Sequence, residues 1–328
     1  MVIVKKNYFK NIWSIAKATF VEWNKTDPFR QSATVSYYAV FSMPALLVII
    51  IACAGLAFGR EAVQGQISSQ ISSALGTETS KQVEEIIAKA GETKSSVWAT
   101  VISVITLILG CTGVFQQLQI SLNQIWGVKV SAQKKWLKSL KDKVFSFGIV
   151  ITIAFLMLVS LLISALLNGF SNWIKVHLPD FMLVVFQLLN FVLSFSIISL
   201  LFAIMFKVLP DVKVPWRSVW IGAFTTTLLF LLGKFALGLY FGKAHPASTY
   251  GAAGSIILIM LWVSYSSMLV FLGAEFTKQY MLFHGAEIIP KPSAVLVKPI
   301  ESEKSTIDKE FISNKTLLNK KAPVAKLQ

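Results

Sequence analysis

Charge is scarce in this 328-residue sequence. Only 14% of the residues are Asp, Glu, Lys or Arg, against roughly a quarter in an ordinary soluble domain. Cysteine is scarcer: Cys53 and Cys111 are the only two, and both lie in apolar runs. That excludes a secreted disulfide scaffold and reads as two small core thiols. The three histidines, His177, His245 and His284, fall in no ligand motif such as HExxH. There is no GxSxG elbow and no P-loop. A catalytic site would have to be assembled from distant loops. The chain is therefore read as a non-enzyme, without metal or cofactor.

What is present pulls two ways. Hydrophobic types make up 55% of the chain, with 24 Phe, and the mean hydropathy is +0.65. Yet the net charge is +15. A nucleic-acid binder spreads such charge over a polar surface. A disordered basic chain lacks the aromatics. A polytopic membrane protein with its charges outside the apolar segments satisfies both facts.

A bilayer core about 30 Å thick needs about 20 apolar residues per helix. Six stretches qualify, at about 33–58, 97–118, 144–167, 181–206, 219–241 and 251–274. They are too long, and alternate too little, for barrel strands. The expected fold is all-α with six transmembrane helices. Lys and Arg set the orientation. Segment 1–30 holds six, loop 119–143 six, loop 207–218 three, and the chain after the sixth span nine. The alternate segments hold four, one and one. Both termini are thus expected in the cytoplasm, and nothing at the N-terminus resembles a cleavable signal.

Three parts lie outside the spans. Residues 1–32 carry Tyr8, Ile12, Ile15, Phe20 and Trp23 at helical spacing, with Lys10 and Lys17 between them. This fits a helix on the inner membrane surface, or one packed on the protein. In segment 59–96, Val63, Ile67 and Ile71 share a face, as do Val83, Ile86, Ile87 and Ala90, with Gly76 and Thr77 between. A helical hairpin outside the membrane is expected, its faces serving packing or a partner. Residues 285–328 contain Pro290, Pro292, Pro299, Pro323 and scattered lysines, and read as a disordered basic tail.

Lys134, Lys135, Lys138 and Lys141, interleaved with Trp136, Leu137 and Leu140, mark a basic loop beside a span. Anionic headgroups fit it better than nucleic acid, and topological charge alone also accounts for it. Within the spans, Lys234 is the one charge, about seven residues from the outer end of the fifth. It either snorkels or faces a cavity; Thr227, on the same helical face, leans towards the interior. Gln187, Asn190 and Ser194 share a face, as do Ser32 and Ser36, which suits interhelical hydrogen bonding. Pro44 should kink the first span and free carbonyls near Tyr37, Tyr38 and Ser42. Gly251, Gly254 and Ser255 allow the sixth span a close neighbour.

These residues resemble the YihY/virulence factor BrkB family of bacterial inner-membrane proteins. Ala33 to Pro44, ATVSYYAVFSMP, is similar to its A-x-x-x-Y-Y-A-x-F-S-x-x-P pattern, with a small spacing difference at Pro44. Leu122, Asn123, Ile125 and Trp126 match L-N-x-I-W; Leu209 and Pro210 match L-P, followed by Trp216, Gly222 and Ala223. Tyr250, Gly251, Gly254 and Ser255 match Y-G-x-x-G-S, and Gly273, Ala274 and Glu275 match G-A-E. The resemblance covers about residues 15–285. It implies six spans, the bacterial cytoplasmic membrane, and suspected roles in transport or envelope lipids. An old ribonuclease label for the family finds no support in these residues.

Two functions from different classes follow. One is a transporter or envelope-lipid-handling protein, with Tyr37, Tyr38, Ser42, Pro44, Asn123, Lys234, Tyr250 and Glu275 on its path. Glu275 would pair with a cation such as Arg30, act as a gate, or simply mark a helix end. The other is a structural or regulatory protein with the hairpin or the tail as partner sites; under either reading a homo-oligomer stays open. A membrane hydrolase is a distant third.

Overall fold

The computed structural model describes residues 8–92, 113–131, 180–244 and 254–297. The first elements are α1 (Tyr8–Lys25), α2 (Pro28–Phe58), α3 (Arg60–Leu75) and α4 (Thr77–Glu92). Residues 113–125 form α5, followed by β1 (Val128–Val130). Then come α6 (Asp180–Val208), α7 (Trp216–Ala244), α8 (Gly254–Phe283) and β2 (Ala294–Leu296).

The breaks between helices have local causes. Between α1 and α2, Asp27 takes a left-handed φ of 51° and Pro28 opens the next helix, where a missing N–H costs nothing. Thr26 Oγ1 donates to Trp23 O at 2.7 Å and closes α1. Gly59 (φ 85°) and Gly76 (φ 89°) take positive φ at the two ends of α3, a conformation that L side chains resist. α3 and α4 are the expected hairpin. Ser80 Oγ donates to Ser68 O at 2.9 Å, and the two hydroxyls lie 2.6 Å apart.

Among the described residues, three helices are long and apolar enough to cross a membrane: Phe191–Val208, Trp216–Phe241 and Gly254–Phe283. They carry the fourth, fifth and sixth expected spans. α2 carries the first and stays helical through Pro44. Of the second expected span only residues 113–118 are described, and the third lies outside the described residues. α8 continues to Phe283, past the expected stop at Glu275. A charge ends an apolar run without ending a helix.

Two apolar clusters organise the helices. One joins Ile51 of α2, Val63 of α3, Val83 of α4, Phe241 of α7 and Leu258 and Ile259 of α8. There the hairpin is packed on the helix bundle, with Ile67 and Ile71 against the cluster. The larger cluster joins Trp23, Val35, Leu122, Trp126, Phe206, Val212, Val219, Phe271, Ala274 and Met281. α1 contributes Ile15, Thr19 and Trp23 as a buried stripe. The stripe follows the i, i+4, i+8 spacing of one helical face.

Residues 285–297 correct the expected disordered tail. β2 pairs antiparallel with β1, Lys129 opposite Val295. Lys213 N–H donates to Ile289 O at 2.9 Å and Lys291 N–H to Asp211 O at 2.8 Å. These bonds use backbone groups, so a segment with prolines and little apolar length still finds partners. Residues 298–328 lie outside the described residues.

Candidate functional site

Two polar groups stand beside the larger apolar cluster. The first joins α5 to the loop before α7. Asn123 Nδ2 donates to Asp211 Oδ2 at 2.9 Å, and Asp211 N–H donates to Asn123 Oδ1 at 2.7 Å. Both ends of the amide are engaged. Gln119 Nε2 adds a longer contact of 3.4 Å to the same carboxylate oxygen. Both residues are buried, flanked by Leu122 and Val212. Lys291 then bonds Pro210 O at 2.7 Å and Val208 O at 3.1 Å through Nζ. It caps the carbonyls left at the end of α6. One clasp thus holds three segments far apart in the chain.

The second group belongs to α8. Glu275 has no exposed surface. Its carboxylate takes Lys278 Nζ at 3.1 Å and Gln279 Nε2 at 2.6 Å. Its cation is therefore on its own helix; Arg30 instead pairs with Asp27 at 3.2 Å, in solvent. Glu22 of α1 lies within electrostatic reach of Glu275.

Immediately before Glu275, α7 and α8 approach closely. A methyl group built on Gly222 would stand 1.8 Å from Thr277 Oγ1, and one on Gly273 would stand 1.9 Å from Thr226 Oγ1. Each threonine hydroxyl donates to the carbonyl of the glycine on its own helix, Thr226 to Gly222 and Thr277 to Gly273, both at 2.7 Å. The seam is reciprocal, and small residues at helix crossings permit this approach. A further hydroxyl pair, Ser199 with Thr227 at 2.9 Å, joins α6 to α7. Ser32 and Ser264 share a bond of 3.1 Å between α2 and α8.

The remaining expected site residues are scattered. Tyr37 and Tyr38 keep substantial exposure. The Tyr37 ring lies 4.9 Å from that of Phe41, and the Tyr38 ring covers Gly113. Buried Ser42 bonds back to Ala39 O at 3.1 Å. Lys234 is half-buried, next to Gly233, whose backbone lies under the Tyr265 hydroxyl. Among the described residues no carboxylate pairs with Lys234. Tyr250, Lys134, Lys135, Lys138 and Lys141 lie outside the described residues. Among the described residues no three His, Cys, Asp or Glu side chains gather as a metal site. Sequence reasoning missed Asp211, Lys291, Lys278 and the threonines of the seam. Only Lys278 carried a local signal, its i+3 spacing from Glu275.

Long apolar helices, a glycine–threonine seam and a buried carboxylate within one such helix define a helical membrane protein. The sequence model of the virulence factor BrkB family matches residues 19–293, and the chain belongs to that family. It is similar to a UPF0761 membrane protein of Tolumonas auensis, 32% identical over 56% of this chain and 58% of the relative. Another from Teredinibacter turnerae is 22% identical over 86% of this chain and 64% of the relative. A third, from Verminephrobacter eiseniae, is 29% identical over 48% of this chain and 36% of the relative. The chain thus spans between about a third and two thirds of the length of these relatives. No solved structure matches it.

Proposed function

We propose that the chain is a transporter or envelope-lipid-handling protein of the bacterial cytoplasmic membrane. It crosses the bilayer six times, with both termini in the cytoplasm and α1 at the inner surface. The one-sided distribution of Lys and Arg supports that topology. The observation that carries the functional reading is the burial of Glu275. An ionisable group within a membrane helix is costly and is usually retained for function. A structural pin would cross to a distant segment, as Asn123 does. Glu275 instead takes both described partners, Lys278 and Gln279, from α8 itself, so its burial adds little to holding the helices together. Lys234, the one charge in the fifth span, is the second residue assigned to the path.

The test compares envelope lipid and metabolite profiles of a deletion strain carrying the wild type, Glu275→Gln or Lys234→Ala. The wild type should restore the profile. Both variants should reach the membrane in wild-type amounts and fail to restore it. A normal profile after truncation of the tail beyond residue 285, with partner proteins lost from the purified complex, would favour a structural or regulatory protein instead.

A further inference from the structure

α1 meets more than one environment. Ile15, Thr19 and Trp23 are buried against the protein. Turned about a quarter of the way round the helix, at about 100° per residue, is a second arc. There Trp13 is 74% exposed and Phe20 62%, with Ala16 exposed beside them. Exposed Lys17 borders this arc, and position 10, also lysine, falls on the same helical line two turns earlier. Glu22 and Lys25 pair at 2.7 Å on the far side, largely in water. Phe29, 65% exposed at the start of α2, adds to the apolar surface.

A soluble helix would place charge where Trp13 and Phe20 stand. An aromatic arc with lysine along its edge is the pattern of a helix lying in the headgroup zone: rings among the acyl ends, ammonium groups at the phosphates. We propose that the Trp13–Phe20 face of α1 docks on the membrane, and that Lys17 and Lys10 select anionic headgroups there. The partner is an acidic phospholipid leaflet. The charge complementarity argues for lipid over a second copy of this chain, whose α1 would bring lysines to the same place. This inference rests on the inner-surface placement of α1, not on transport.

The experiment uses the full chain with Cys53 and Cys111 replaced by serine. Single cysteines are introduced as Trp13→Cys, Phe20→Cys and Lys25→Cys, and labelled with bimane. The protein is reconstituted in vesicles containing brominated phosphatidylcholine or brominated phosphatidylglycerol. Labels at 13 and 20 should be quenched severalfold more than the label at 25. Brominated phosphatidylglycerol should quench them more strongly than brominated phosphatidylcholine. Lys10→Gln/Lys17→Gln should abolish that preference while leaving quenching by phosphatidylcholine. Equal quenching at 13, 20 and 25 would overturn membrane docking. Equal quenching by the two lipids would overturn headgroup selection. Label at 13 or 20 shielded from both lipids but cross-linking between copies would replace the leaflet with a second chain. In inverted vesicles, failure of an impermeant maleimide to reach Lys25→Cys would refute the placement of α1 itself.

Discussion

The Asn123–Asp211 clasp and the Glu275 group sit beside the same apolar cluster, yet they are built oppositely. The clasp joins residues 88 positions apart through two reciprocal hydrogen bonds. The Glu275 group closes within four residues of one helix. A polar contact between distant segments contributes to stability by fixing where they lie. A contact within a helix leaves that helix free to be placed by packing alone. Buried polarity thus has two uses here, and the sequence separation of the partners tells them apart.

Breaking the clasp should show the largest effect on folding. Asn123→Ala strips a buried carboxylate of a donor at 2.9 Å and the Asp211 N–H of its acceptor at 2.7 Å. A cost of about 3 kcal/mol is expected, seen as a lower thermal midpoint and a smaller monodisperse fraction in detergent. The seam ranks next. Gly222→Ala forces a methyl group onto Thr277 Oγ1, which its own bond to Gly273 holds in place, at a cost of about 2 kcal/mol. Adding Thr277→Ala should recover part of that loss, since Thr277 Cβ, 2.9 Å from the added methyl, remains; no recovery would mean that the Thr277 hydroxyl is not what the methyl group meets.

Glu275→Gln should do the reverse of the clasp variant. Its thermal midpoint should move by about 1 kcal/mol or less in equivalent stability, while complementation of the deletion strain is lost. If Glu275→Gln unfolds the protein as Asn123→Ala does, the contrast between the two groups collapses. The smallest effect is expected for Ser32→Ala. It removes one hydroxyl pair between α2 and α8, worth about 0.6 kcal/mol, and should be visible only as a slight shift in midpoint.

Much of the fold could be read from local pattern. The apolar lengths foretold α6, α7 and α8, and the two apolar faces around Gly76 foretold the α3–α4 hairpin. α1 was legible in extent but not in its faces, since periodicity reveals that a helix has sides and not what each side meets. The clasp left no local trace. Asn123 reads as a polar residue at a helix exit and Asp211 as one acid in a basic loop; only the fold makes them partners. The β1–β2 pairing was hidden for a related reason: three residues on each side bond through the backbone, which composition does not record. Glu275 misled in the other direction. As the first charge after a long apolar run it suggested a helix end and a cation from another segment, such as Arg30, while Lys278 stood three residues on.

The return of the chain over itself has one more consequence. Ser131 N–H bonds Ser293 O at 3.0 Å, and Val297 N–H bonds Gly127 O at 2.8 Å. Because the ribbon is antiparallel, the polypeptide leaves it at opposite ends, once after residue 131 and once after residue 297. The ribbon sets these two points about 13 Å apart, four steps of about 3.3 Å each. A reporter fixed at residue 131 would therefore face the entry to β2, and one fixed at residue 297 the entry to β1.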